Sequence, residues 1–230
     1  MKIAPADKEA FRTAVEQFHE RERPGGPGRI AARAIGGPAG VSVKFGPHPP
    51  EALAAAESLL RARTLARGEH LLVGGMERAS DVVFVVQGVL REYFLLADGT
   101  ERTKAFIAEA QVAGSLADLL SDAPSRASIV AEHETRVLLA RYDEMKALGQ
   151  RFPSWADFGR RTTAALLSRK AEREYELLAL DAEGRYEAFL AQCPGMEARV
   201  TAKNVASYLG ITPVHLSRLR RRRSGARAGR

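Results

Sequence analysis

The chain has 230 residues, 35 Lys and Arg against 28 Asp and Glu, and a single cysteine, Cys193. That length accommodates two domains, while one cysteine excludes an intramolecular disulfide and cannot alone hold an iron–sulfur cluster or a zinc. No apolar run approaches the ~20 residues that cross a bilayer, and the opening MKIAPADKEAF lacks a basic-then-apolar secretory pattern, so the expectation is a cytoplasmic protein without membrane contact.

In chain order, Asp7 is placed to cap a short helix whose Phe11, Val15 and Phe18 share one face. Pro24–Gly28 and Gly36–Gly40 break regular structure, which predicts loop over 23–50 and an N-terminal extension packed loosely on the next domain. From about 63 to 141 the texture is short β segments. Asp81–Val86 and Leu90–Leu96 are rich in Val, Phe and Tyr and are separated by Gly88. Asp98-Gly99 is a strong hairpin signal, with Glu101–Ile107 as the return strand. Ser128–Ala131 and Arg136–Ala140 supply two more strands. Many short strands at regular spacing predict a small jelly roll.

Helix returns at Tyr142–Leu148 and runs long from Trp155 to about Leu178, with Ser154 and Asp157 at capping-box spacing. Trp155, Phe158, Thr162, Ala165 and Leu166 form one ridge, read as a dimer seam or as packing on the chain's own β domain. Asp181 is placed to cap a further helix through Tyr186, Phe189 and Leu190. The closing stretch, TAKNVASYLGITPVHLSRLRRRR (201–223), reads as two short helices. Val205 and Leu209 make an apolar stripe, and Ala206 allows a close crossing. Gly210 supplies a left-handed turn, Thr212 an N-cap and Pro213 the first helical position. Leu216 and Leu219 face back toward Val205 and Leu209. The opposite face carries His215, Ser217, Arg218, Arg221 and Arg222, which is the pattern of a helix-turn-helix with a basic reading helix. Residues 196–230 hold nine Lys and Arg against one Glu, the whole charge excess of the chain. A basic pole of this kind points to a polyanionic partner, although a disordered basic tail at Ser224–Arg230 would add to the same count.

A β-roll, a long helix and a C-terminal helix-turn-helix in that order resemble the Crp-Fnr family (cyclic-AMP receptor and fumarate–nitrate regulators). The likeness covers roughly 55–223. It is carried by ARGEHLLVGG (66–75), VVFVVQGVLREYF (82–94), AGSLADLLSDAPSRASI (113–129), LLALDAEGRYEAFL (177–190) and VASYLGITPVHLSRLRR (205–221). The resemblance implies an α+β fold: a cyclic-nucleotide-binding-like β-roll (jelly roll), a long dimerisation helix and a C-terminal (winged) helix-turn-helix. The corresponding segments are 1–50 (N-terminal helix and Pro/Gly-rich extension), 51–150 (sensor), 151–180 (dimerisation helix) and 181–230 (DNA-binding domain with basic tail). It further implies a homodimeric transcription regulator, not an enzyme, that binds double-stranded DNA at an inverted repeat and works with RNA polymerase.

In such families a ligand phosphate lies against backbone N–H groups and an arginine, a sound arrangement for an anion. By resemblance, Gly114, Ser115 and Leu116, together with Ser125, Arg126, Ala127 and Ser128, hold those positions. Two departures argue against cyclic AMP: Ser115 stands where a ribose-binding carboxylate belongs, and Ala127 where Ser or Thr follows the arginine. Each missing buried partner costs on the order of 1–3 kcal/mol. Arg126 then either holds another small anionic effector or serves as a structural ion-pair residue. An iron–sulfur cluster is excluded by the cysteine count, and His70 and His133 are thin grounds for haem.

Mapped by the same resemblance, Pro213, Val214, Ser217 and Arg218 face bases. A guanidinium at Arg218 matches guanine O6 and N7, worth about 1–3 kcal/mol of discrimination. Val214 replaces the glutamate common there and suits a thymine methyl. Thr201, Lys203, Arg221 and Arg222, beside Thr212, suit phosphate, and His215 either joins them or is solvated. Of the competing readings, a cupin-like metalloenzyme needs clustered ligands, yet His19, His48, His70, His133 and His215 are scattered. A cyclic-nucleotide-like module acting on a protein partner is the other alternative.

Overall fold

The computed structural model describes residues 3–21, 48–114 and 116–228. Among the described residues two helices come first, α1 (Pro5–Arg21) and α2 (Pro50–Leu59). Eight strands follow: β1 (Arg61–Leu65), β2 (His70–Leu72), β3 (Asp81–Gln87), β4 (Leu90–Leu95), β5 (Glu101–Ile107), β6 (Val112–Ala113), β7 (Ser128–Ala131) and β8 (Thr135–Arg141). The short helix α3 (Leu116–Leu119) lies between β6 and β7. All strand pairs are antiparallel. They form two four-stranded sheets, ordered β1-β8-β3-β6 and β2-β7-β4-β5, which is the expected roll.

Alternation along the strands decides what each face meets. Val83, Val85, Val137 and Leu139 point into the roll, where Leu65, Leu90, Ile107 and Ile129 close the space. Phe84, Leu138 and Ala140 point the other way, into a second core with Phe11, Val15, Ala52, Ala56, Trp155 and Phe158. The first sheet is therefore buried on both faces, which explains the unbroken apolar run at Val82–Val86. At the Asp98-Gly99 hairpin, Gly99 takes φ +79° and the Asp98 carboxylate accepts from Thr100 N at 2.9 Å. Gly88 is required for a different reason: its φ is +108°, and a Cβ would stand 2.4 Å from Thr135 Oγ1.

The N-terminal helix is not loosely attached. Phe11 stacks on Trp155 (6.0 Å) and sits edge-on to Phe84 (5.1 Å), and the buried Glu57 of α2 takes ion pairs from Lys8 and Arg12. Asp7 lies in the first turn, buried beside Arg136, not at the cap. The side chain of Phe18 and the loop expected over 23–50, as far as residue 47, lie outside the described residues.

The remaining elements are helical: α4 (Tyr142–Arg151), α5 (Pro153–Ala179), α6 (Ala182–Gln192), a 3-10 turn (Met196–Ala198), α7 (Ala202–Leu209) and α8 (Pro213–Ala228). No strand that could serve as a wing occurs among the described residues of 181–228. α5 starts two residues early, at Pro153, with Phe152 as its N-cap. Ser154 therefore does not cap it, and Asp157 pairs with Arg160 and Arg161 instead. Asp181 does cap α6, accepting from Gly184 N at 2.8 Å. Part of the expected basic tail is helix, because α8 runs on to Ala228. No helix among the described residues is long and apolar enough to cross a membrane.

Candidate DNA-binding face and sensor cavities

The C-terminal hairpin is built by local rules. Thr201 caps α7, accepting from Asn204 N at 3.2 Å. Gly210 ends it at φ +68°, and its N–H and that of Ile211 return to Ser207 O and Ala206 O. Thr212 Oγ1 accepts from His215 N at 3.2 Å at the head of α8. Val205, Ala206, Leu209 and Leu216 are fully buried between the two helices, with Leu219 nearly so. Outside on α8 stand Pro213, Val214, His215, Ser217, Arg218, Arg221 and Arg222, all exposed, joined by exposed Thr201, Thr212 and Lys203. The arginine run is not uniform. Arg220 donates to Glu197 at 2.8 Å and Arg223 to Glu187, so these two fasten α8 to its own domain and leave Arg221 and Arg222 on the outer face.

The other side of α7 meets the roll. β5 is the edge of the second sheet, and Ser207 docks on its open side: Thr103 N donates to Ser207 Oγ at 2.9 Å, and Ser207 Oγ donates to Glu101 O at 3.0 Å. One serine thus satisfies two edge groups that would otherwise face water. Asn204 donates to both oxygens of Glu132 (2.8 and 2.9 Å), and Glu132 also receives the buried Arg91 at 2.6 Å. Phe106 of β5 packs on Phe189 (6.3 Å) and Tyr208 (5.6 Å). Apart from Phe189, read only as part of a helix face, none of these partners was singled out from the sequence. They join positions 41 to 106 residues apart, and no local pattern links them.

Arg199 completes this contact as a fork on Glu109, at 2.7 and 2.6 Å. Hydrogen bonding from Arg199, helped by Gly88 N–H, holds the Glu109 carboxyl at about 2. Because the folded value lies below the ordinary one of 4.5, the resulting stability is complete above pH ~4.5 and drains away as pH falls toward 2. The two side chains are 34% and 40% exposed, so solvent screening keeps the contribution small. Glu109→Gln is expected to flatten the acid limb of the thermal midpoint below pH ~4.5 while shifting stability at pH 7 by less than ~1 kcal/mol. An unchanged acid limb would remove Arg199–Glu109 as its source.

Of the seven positions assigned to an effector, the four that line cavities divide between two of them. Gly114 (φ +124°) lines a space of about 330 Å³ with Leu72, Arg78, Asp81, Val83 and Ile129. Arg126 and Ser128 line a separate recess of about 320 Å³ with Gly74, Gly75, Leu95 and Ser125. Arg126 is exposed, and the residue turned inward is Ser125, 1% exposed. Ser125 Oγ donates to Asp118 Oδ2 at 2.7 Å and accepts from Ala127 N at 3.2 Å. Ala127 and Ser128 are buried, and Ser128 Oγ accepts from Gly74 N at 2.9 Å. Leu116 opens α3, and Ser115 lies outside the described residues. His70 Nε2 bonds the Tyr93 hydroxyl at 2.8 Å, and His133 lies beside Glu134 O. No group of three or more His, Cys, Asp or Glu that could hold a metal occurs among the described residues.

Residues 62–152 match the cyclic nucleotide-binding domain family. No curated protein matches the chain. Among solved structures it is similar to FixK2 from Bradyrhizobium japonicum, at 24% identity and TM-score 0.63 over 71% of this chain and 83% of that one. It is similar also to a CooA mutant from Carboxydothermus hydrogenoformans (19%, TM-score 0.61, 74% and 78%). A third is the c-di-GMP responsive global regulator CLP from Xanthomonas campestris (12%, TM-score 0.61, 77% and 93%). The chain shares the fold of these structures, and the residues that match the cyclic nucleotide-binding domain family lie within it.

Proposed function

From a cyclic nucleotide-binding domain set in the Crp-Fnr fold, we propose a homodimeric, sequence-specific DNA-binding transcription regulator whose roll is the sensor. The observation that carries this reading is α8. It is capped at Thr212, fixed inward by Leu216 and Leu219, and turns Val214, Ser217, Arg218, Arg221 and Arg222 outward together. Apolar and hydrogen-bonding residues near the start of the helix suit base edges, and arginines farther along suit phosphates.

The second copy is assigned to α5, but on a face other than the ridge read from the sequence. Trp155 and Phe158 are buried against α1, α2 and His48 of the same chain. Ala164, Leu167, Ala171, Tyr175 and Leu178 are exposed instead, and their spacing of three and four residues is that of a helix–helix seam.

Cyclic AMP is a poor effector for this roll. Arg126 lies at the outer rim, and a phosphate brought in to Ser125 would meet the Asp118 carboxylate on the same hydroxyl. The effector proposed for the roll is a small molecule other than cyclic AMP.

Selection of duplexes from a random library by the purified full-length protein tests the function. The expected product is an inverted repeat with half-site centres roughly 34 Å apart. Binding is expected to weaken by about 10³–10⁵ between 50 and 200 mM salt if the dimer makes about 6–10 phosphate contacts. No enrichment, at low salt as well, would leave the alternative of a module acting on a protein.

A further inference from the structure

The turn of the hairpin is held from outside the hairpin. Arg173, on α5, donates to the carbonyl of Tyr208, and its guanidinium carbon lies 4.0 Å from the centre of the Tyr208 ring. Arg173 Nη1 donates to Glu176 at 2.7 Å. Glu176, 3% exposed, also receives Gln192 of α6 at 2.6 Å. From α6, Arg185 donates to Leu209 O at 2.8 Å and to Leu180 O at 2.7 Å. The Tyr208 and Leu209 carbonyls belong to the last turn of α7, which a helix leaves unpaired and where its dipole favours a cation. Leu177 adds an apolar contact, its Cδ2 standing 4.0 Å from where a Cβ on Gly210 would lie.

Position around α5 gives this grip its meaning. At about 100° per residue, Arg173, Glu176 and Leu177 fall on the side opposite the exposed stripe from Ala164 to Leu178. One side of the rod faces the second copy, and the other grips the first helix of the reading hairpin.

We propose that Arg173 is a positioning residue that fixes the hairpin's angle to the dimer rod and so sets which half-site spacing the dimer accepts. The inference rests on the DNA-binding dimer proposed above. An extra base pair between half-sites moves one of them by about 3.4 Å and rotates it by about 35° around the duplex. A head held rigidly tolerates little of that, whereas a loosened one follows. Lysine would not replace Arg173, because stacking on Tyr208 while donating to both a carbonyl and a carboxylate needs the planar fork.

The test uses full-length protein and duplexes carrying the half-site selected by the wild type. These are a single half-site, and inverted repeats with the central spacer changed by one to three base pairs. The wild type is expected to lose about tenfold or more in affinity for a two-base-pair change. Arg173→Ala is expected to lose only about twofold, with single half-site affinity within about twofold of wild type, and Arg173→Lys is expected to fall between them. If Arg173→Ala does not melt cooperatively, Arg173→Lys decides alone. A folded variant that keeps the wild-type spacer ratio overturns the proposal. So does a variant whose single half-site affinity falls as far as its affinity for the repeats, because Arg173 would then merely support the fold. A wild type that binds no duplex fails earlier, at the DNA-binding reading itself.

Discussion

Arg218→Ala is expected to abolish most base preference while leaving the protein folded and able to bind DNA. Arg218 is exposed on α8, between the buried Leu216 and Leu219. It shares its face with Val214 and Arg221, at i−4 and i+3. Its truncation therefore opens no cavity and leaves no buried partner. A guanidinium forked on a guanine contributes about 1–3 kcal/mol of discrimination, and a two-fold dimer makes that contact twice. The combined loss of about 2–6 kcal/mol corresponds to a fall in specificity ratio of roughly 30- to 10⁴-fold. Arg222→Ala should behave differently: affinity for all sequences falls alike, and the salt slope drops by about one per subunit. Repeating the selection with each variant separates the two roles. An Arg218→Ala protein that enriches the wild-type motif would show that α8 reads through other residues.

This prediction was legible in the sequence because the hairpin is specified locally. Gly210, Thr212 and Pro213 each act within three or four residues of their own position, so the turn and the cap of α8 stand where spacing puts them. The β-roll was readable wherever strands are long and apolar. It was not readable at β1, β2 and β6, which are short or solvent-facing and owe their pairing to distant partners such as β8 and β7. Arg126 illustrates a sharper limit. Whether Ser125 or Arg126 turns inward depends on the phase of the segment entering β7, and one residue of phase exchanges the faces. The apparent capping box at Ser154 and Asp157 had the right spacing, but Pro153 already suits the first helical position and the Asp157 carboxylate has two arginines to satisfy. The contact between α7 and the edge of β5 could not have been read at all. Ser207 is an unremarkable serine until β5 is known to have an open side.

The long helix poses the same difficulty in a form that an experiment can resolve. Apolar residues occur on both sides of α5, and periodicity alone does not say which side the chain's own core will claim. The claimed side is the one carrying Trp155 and Phe158, at 3% and 5% exposure. Trp155 stacks at 4.0 Å on His48 and donates to Ala52 O at 2.8 Å. Leu167 and Leu178 are 60% and 80% exposed on the other side. Substitutions on the two sides should therefore fail in opposite ways. Leu167→Glu with Leu178→Glu places like charges along a symmetric seam and removes its apolar contact, but touches nothing in the core. The double variant is expected to be a monomer with unchanged secondary structure. Its affinity for an inverted repeat should fall by about 10²-fold or more, to that of a single half-site, because the second contact no longer comes linked to the first. Trp155→Ala is expected to cost about 3–5 kcal/mol of unfolding free energy, while the folded fraction still dimerises. Sedimentation equilibrium, chemical unfolding and titration of single and paired half-sites give the three readouts. A double variant that remains dimeric would mean that the second copy does not sit on this stripe, and the spacing argument built on Arg173 would lose its geometry with it.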